Sequence, residues 1–175
     1  MKVIIINGAA GSGKDTFANM CINNNNGAGV IISMADAAKS IAQFCGWNGE
    51  KTPKNRKFLS NLKDLIDEWG DMSFKFVEKS ISSLFKDGRK NSDGWLIFIM
   101  SREPNDIKRL KERFNAHTIY ISNYKAEQVC ATNHADANVK CFSYDEYIDN
   151  NGSLEELNLE SKNFIERIMK NGIYY

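Results

Sequence analysis

The stretch Met1 to Phe17, MKVIIINGAAGSGKDTF, limits what this chain can fold into more than any other. Val3 to Ile6 is a short apolar, β-branched run, which predicts a buried strand. Gly8-Ala9-Ala10-Gly11-Ser12-Gly13-Lys14 follows at once. Asp15-Thr16-Phe17-Ala18-Asn19-Met20 then reads as the first turns of a helix. Strand, glycine-rich loop and helix therefore arrive in the order and spacing of G-x-x-x-x-G-K. Glycines let backbone N–H groups turn inward around phosphate oxygens with no Cβ in the way. A helix N-terminus adds partial positive charge, and Lys14 is spaced to reach the β- and γ-phosphates of a nucleotide. The pattern usually ends in Ser or Thr, whose hydroxyl serves Mg²⁺. Here Asp15 takes that place and Thr16 follows, so Asp15 is the candidate metal residue.

At 175 residues the chain suits one domain, 1–175. Strands alternate with helices along it. Candidate strands are Gly29–Met34, Trp95–Met100, Thr118–Ile121 and a short one near Tyr144–Asp149; with Val3–Ile6 they make five. The run 95–100 is the most continuous and reads as the central strand. Candidate helices are Lys14 to about Asn23, Asp36–Phe44, Phe58–Trp69, Ser73–Phe85, one ending near Phe114, and Leu154 to about Met169. This alternation predicts an α/β fold: three layers, with a five-stranded parallel sheet flanked by helices. Phe58, Leu62, Leu65, Ile66 and Trp69 recur at helical spacing and read as core. The asparagine run at 23–26 reads as a solvated turn.

Ligands bind such sheets at the carboxyl ends of the strands. That edge collects the loop at Gly8, the turn Ser33–Asp36, the turn Ser101–Glu103 and the polar segment from Asn123 to Cys141. Asp36 and Lys39 follow the second strand; a carboxylate there can orient an acceptor group and a lysine can hold its phosphate. Lys54, Arg56 and Lys57 form a basic cluster, read as a loop leading into the helix at Phe58. Arg102 follows a buried strand, where a guanidinium is costly without an anion to grip. Lys125, His134 and Lys140 are candidates for a lid over phosphates. The turn Asp149-Asn150-Asn151-Gly152 is placed to contact an adenine ring.

Net charge is +1, which gives no field favouring nucleic acid or a membrane surface. Cys21, Cys45, Cys130 and Cys141 show no C-x-x-C pairing, and two histidines make a zinc site a poor expectation. They read as reduced thiols. The first apolar run is too short for a signal peptide or a membrane span, so a cytoplasmic location is expected.

Further along, the stretch MADAAKSIAQFCGWNGEKTPKNRKFLSNLKDL resembles the phage-type deoxynucleoside monophosphate kinases. In that family a strand ends in a phrase like F-A-D-x-x-K, matched here by Ala35-Asp36 and Lys39, and a G-W pair follows, matched by Gly46-Trp47. The loop GAAGSGKDT has the family's G-K-D-T. SREPND is similar to its D-x-R-x-P-N-E at Arg102, Pro104 and Asn105. Asn133-His134-Ala135-Asp136 and DEYIDNNGSLEEL look like its closing segment. Met100 stands where the family's strand-end acid is found, and Asn123-Tyr124-Lys125 lacks an arginine common there. Dephospho-coenzyme A kinase is a neighbouring family with a similar loop and a similar Asn-x-Gly-x-Leu ending.

The resemblance implies a P-loop kinase fold and ATP- and Mg²⁺-dependent transfer to a (deoxy)nucleoside monophosphate. Gly8, Ala9, Ala10, Gly11, Ser12, Gly13, Lys14, Asp15, Thr16 and Asn150 are then the ATP-binding candidates. Lys14, Arg102 and Asp36 are the catalytic candidates, and Asp36, Lys39, Arg56 and Arg102 the acceptor-binding ones. Residues from about 36 to 90 make the acceptor region and 123–141 the lid. The expected partners are nucleotide substrates, with no nucleic acid and no membrane, in a monomer or homodimer. A dephospho-coenzyme A kinase-like enzyme, another small-molecule kinase and a non-catalytic nucleotide-binding module are the alternatives.

Overall fold

A computed structural model describes residues 1–86, 94–130 and 142–170. The chain divides into two compact units, residues 1–31 with 91–175, and residues 32–90. The elements run β1 (Lys2–Asn7), α1 (Lys14–Asn24), β2 (Gly29–Ser33), α2 (Asp36–Phe44), α3 (Pro53–Gly70), α4 (Met72–Lys86), β3 (Leu96–Met100), α5 (Pro104–Phe114), β4 (His117–Ser122), α6 (Tyr124–Cys130), β5 (Glu146–Asp149) and α7 (Leu154–Lys170).

The sheet order is β2-β3-β1-β4-β5, and β1 pairs in parallel with both β3 and β4, as β4 does with β5. This is the expected five-stranded parallel α/β sheet. The middle strand, however, is β1 and not β3. All six residues of β1 are buried, so both of its faces are covered, as a parallel sheet requires. Alternation along the strands splits the core in two. Ile4, Ile6, Leu96, Phe98, Ile119 and Ile121 belong to a cluster with Phe17, Ala18 and Cys21 of α1 and Leu157, Phe164 and Ile168 of α7. The rings of Phe17 and Phe164 meet edge-on at 5.5 Å. Ile107, Leu110 and Phe114 of α5 are also buried, and α5 lies against β1 and β4.

The asparagine turn is more than solvated. Asn24 Nδ2 donates to Asn158 Oδ1 and to Ser161 Oγ on α7, at 2.9 and 2.8 Å. Asn25 Nδ2 donates to the carbonyls of Ala28 and Gly94. Burial pushes the Cys21 thiol well above the ordinary thiol range, with Glu160 adding to it, so this cysteine is an inert core residue.

In the unit of residues 32–90, α2, α3 and α4 pack on one another around Ala37, Ala38 and Ile66, joined by Leu62, Met72 and Phe76. Two expectations change here. The helix α3 starts at Pro53, so Lys54, Arg56 and Lys57 lie in its first turns and not in a loop. Thr52 caps it, accepting from Asn55 N–H at 3.2 Å, and proline at the first helical position suits the fixed φ there. Phe58, Leu65 and Trp69 are not core: they are 42%, 63% and 79% exposed. Helical spacing does put them on one face, but only its Leu62–Ile66 side meets the other helices. Among the described residues no helix is long and apolar enough to cross a membrane.

The β4 and β5 starts are joined by Asp145. It accepts from Thr118 N–H at 2.9 Å and Thr118 Oγ at 2.8 Å, and from Lys111 Nζ at 2.6 Å. Partial burial works to raise its pKa, but these bonds outweigh it and hold the carboxyl below the ordinary range. A depressed folded pKa means the stabilisation is present above the unfolded carboxylate value and is lost as pH falls through the folded one. Asp145→Asn should therefore lower the melting temperature at pH 7. Its deficit against wild type should shrink as pH falls below about 4, the unfolded aspartate value. A deficit that does not change with pH would assign the loss to geometry and not to charge.

Candidate functional site

The glycine-rich loop leaves the carboxyl end of the middle strand, and its shape follows from three positive-φ glycines. Gly8, Gly11 and Gly13 have φ of +149°, +83° and +93°, a region costly for residues with a Cβ. A Cβ on Gly8 would lie 2.4 Å from the carbonyl oxygen of Ile121, and one on Gly13 would lie 2.2 Å from Asn150 Nδ2. Gly11 has open space around it. Within the loop Ser12 N–H donates to Ala9 O at 3.1 Å, and Phe17 N–H to Gly13 O at 2.9 Å.

Lys14 is 8% exposed. Its ammonium donates to the carbonyls of Gly8 and Ala9, both at 2.6 Å. A full positive charge is thus held against the loop backbone, at the start of α1. Gly13 caps that helix and brings no side-chain hydrogen bond to it. The first-turn N–H groups, which have no intrahelical acceptor, are therefore not covered by a capping side chain. Asp15 and Thr16 are exposed in that turn. Ser12 Oγ is buried with no hydrogen-bond partner among the described residues. Ala9 is buried and Ala10 half-buried. Such a backbone can bind an anion of several negative charges, because donors, dipole and ammonium converge on one loop.

Side chains from outside the loop hold it in place; Asn150 was singled out in the sequence, and Asn7 and Tyr144 were missed. Asn7 is fully buried. Its Oδ1 accepts from Gly8 N–H at 2.7 Å. Its Nδ2 donates to Arg102 O at 3.2 Å and to the Tyr144 hydroxyl at 2.7 Å. The signal was present as a polar residue closing an apolar strand. Tyr144 is buried against Tyr120 and Tyr147, and burial pushes its hydroxyl up to about 12, so it stays protonated. Asn150 donates through Nδ2 to Ser12 O at 2.8 Å.

The other candidates fall in two places. The register pairs Ile6 with Met100, Asn7 with Tyr120, and Ser122 with Asp149. The carboxyl ends of β1, β3, β4 and β5 therefore share one edge, with Arg102, Asn123 and Asn150 just beyond it. Arg102 is exposed, so the desolvation cost expected for its guanidinium does not arise. Ser101, just before it, is buried, and its hydroxyl has no partner among the described residues. Lys125 is exposed on α6, a helix inside the segment read as polar. His134, Lys140 and most of the expected lid lie outside the described residues, as do Asn133 to Asp136.

In the unit of residues 32–90, Asp36 Oδ2 accepts from Ser33 N–H at 2.8 Å and Oδ1 from Lys39 Nζ at 2.8 Å. The carboxylate is thus fixed by the end of β2, the strand that precedes its helix. The pair is partly exposed. Arg56 is exposed on α3, with Nε donating to Lys51 O at 3.1 Å. Trp47 Nε1 and Asn55 Nδ2 both donate to Glu50 O, which shapes the connection before α3. Among the described residues no three His, Cys, Asp or Glu side chains cluster as a metal site. Cys21 and Cys45 are free thiols.

No protein-family model matches the chain, and no curated protein matches it in sequence. Among solved structures it is similar to a gluconokinase from Sinorhizobium meliloti 1021. The identity is 13% and the TM-score 0.55, over 97% of this chain and 94% of that one. The likeness is one of fold: an α/β architecture in which helices flank a five-stranded sheet.

The loop's glycines should respond to substitution in a definite order. Gly11→Ala should cost about 1–2 kcal/mol, the price of a left-handed backbone. Gly8→Ala should cost more, because the new Cβ also meets rigid backbone at Ile121. Urea unfolding of both variants checks this; equal losses would mean the loop reshapes freely around Gly8.

Proposed function

We propose that this protein is an ATP-dependent kinase that moves the γ-phosphoryl group to a (deoxy)nucleoside monophosphate. The observation that carries the reading is Lys14, an ammonium held by the Gly8 and Ala9 carbonyls at the start of α1, where no side chain caps the helix. Phosphoryl transfer is mostly positioning plus charge stabilisation, and this loop supplies both. The fold shared with a gluconokinase supports small-molecule kinase chemistry. The motif resemblance around Asp36, Lys39, Gly46 and Trp47 supports a monophosphate acceptor.

Gly8 to Thr16 bind the triphosphate of ATP, and Lys14 binds its transferred phosphoryl group. Arg102 grips the acceptor phosphate or the charge that develops in transfer. The region 36–90 binds the acceptor. There Asp36 orients it, held by Ser33 N–H, and Lys39 and Arg56 supply positive charge. The first turn of α3 carries Lys54 and Arg56 and no acid, and Lys57 follows it. Cations at that end of a helix are unfavourable by roughly 0.3–1 kcal/mol each, a local conflict that a bound phosphate relieves.

The donor set around α1 fits Mg²⁺. Asp15 offers a carboxylate, Thr16 a hydroxyl, and both are exposed beside the loop. Mg²⁺ prefers oxygen ligands and keeps several waters, so few protein groups suffice. When bound, it neutralises phosphate charge. Asp15 would hold it, directly or through water, and Thr16 would hydrogen-bond the α-phosphate. Met100 closes β3, so that strand brings no acid to share the work.

ADP formation from ATP against a panel of deoxynucleoside monophosphates, with dephospho-coenzyme A, gluconate and no acceptor as controls, tests the reading. Acceptor-dependent turnover with one or more monophosphates is expected, and Lys14→Ala should lower kcat at least about a hundredfold while the protein stays folded. ATP binding without acceptor-dependent turnover would make the protein a nucleotide-binding module. Turnover with gluconate or dephospho-coenzyme A alone would overturn the acceptor assignment.

Asp15→Asn should raise the Mg²⁺ concentration for half-maximal turnover several-fold, with little change in the melting temperature of the metal-free protein. If stability fell and the Mg²⁺ dependence stayed, Asp15 would serve the helix start alone.

A further inference from the structure

The turn after β5 reaches back to the glycine-rich loop through one side chain. Asn150 Nδ2 donates to Ser12 O at 2.8 Å. The backbone of Asn150 is held in turn: its N–H donates to Ser122 O at 2.9 Å, and its carbonyl accepts from Asn123 Nδ2. Asn123 Oδ1 accepts from Ala126 N–H at 3.0 Å, and Asn151 Oδ1 accepts from Tyr124 N–H at 2.8 Å. The amide of Asn150 therefore rests on a support built from the ends of β4 and β5 and the start of α6.

A trans peptide is planar, so its C=O and the following N–H point in opposite directions. A donor that holds the Ser12 carbonyl toward Asn150 turns the Gly13 N–H the other way. Gly13 is the residue where loop becomes helix, at φ +93°. The space a Cβ would need there is filled by Asn150 Nδ2, at 2.2 Å. Glycine at 13 thus serves the backbone turn and the approach of Asn150 together.

We propose that Asn150 is a positioning residue: its side-chain amide fixes the Ser12–Gly13 peptide so that the Gly13 N–H faces the bound phosphates. The proposal rests on the nucleotide-binding reading above. It gives the Asn150 side chain work on the phosphate cradle, in place of the adenine contact expected from sequence.

Titration calorimetry on wild type, Asn150→Ala and Asn150→Asp separates the two roles. The probes are Mg-ATP, inorganic tripolyphosphate and adenosine. Both variants should lose roughly tenfold or more in affinity for ATP and for tripolyphosphate, as expected when one hydrogen bond that orients a charge-binding group is lost. Adenosine affinity should not move. Asn150→Asp should lose more than Asn150→Ala, because it sets a carboxylate against the Ser12 carbonyl. Unchanged tripolyphosphate affinity in both variants would overturn the proposal, as would a loss confined to adenosine and ATP, which marks a base contact.

If neither variant folds, ¹⁵N NMR of wild type decides. Tripolyphosphate should shift the Gly13 amide proton downfield, and the Asn150 side-chain NH₂ should exchange slowly with and without it. A Gly13 amide that does not move, or an Asn150 NH₂ that exchanges freely, would overturn the role. Wild type that binds neither ATP nor tripolyphosphate would overturn the nucleotide reading itself; wild type that binds both, with unaltered variants, would overturn only the part given to Asn150.

Discussion

The structure depends on one strand being covered on both faces. Six consecutive residues of β1 are buried, between β3 and β4. A strand apolar on both sides has no polar face to pin its register, unlike a strand with one wet face. The pinning comes from its ends. Lys2 N–H donates to Trp95 O, and at the other end Asn7 bonds Gly8, Arg102 O and Tyr144. Once the ends are set, the glycine-rich loop can emerge only at the centre of the sheet's carboxyl edge, with strand ends on either side to supply partners.

Neutral amide side chains make most of those connections. The side chains of Asn7 and Asn123 both donate and accept at the strand ends and that of Asn150 donates, while those of Asn24 and Asn25 donate at the far end of α1. An amide has two donors and an acceptor oxygen, so one side chain can satisfy backbone groups of two different segments. A carboxylate in the same place would carry a larger desolvation cost and could not donate. Near the loop, Lys14 and Arg102 are the positive groups, and the carboxylates of Asp15 and Asp149 the negative ones, with Asp149 accepting from Asn151.

The local elements were legible because their signals are local. The apolar run of β1, the glycine spacing, the alternation of strands with helices and the limits of α2 follow from dihedral preference and side-chain period. The start of α3 was written as well, in Thr52-Pro53, but the basic residues after it drew the reading toward a loop. The exposed face of α3 was not legible. The spacing of Phe58, Leu65 and Trp69 defines a face, but whether that face is covered depends on which helices lie against it. In the unit of residues 32–90 they cover the side holding Leu62 and Ile66.

The sequence by itself determined the chemistry of the loop: which residue carries the ammonium, where the backbone must be glycine, and that a carboxylate follows the lysine. These depend on neighbours a few positions apart, within the reach of one turn. The tertiary structure alone decided that β1 and not β3 is the middle strand, that Arg102 is exposed, and that Asn7 and Asn150 hold the loop. Asn150 and Ser12 are 138 positions apart in the chain, and no periodicity relates residues that far apart. Only the parallel register, which brings the strand ends to one edge, puts an amide donor opposite a carbonyl.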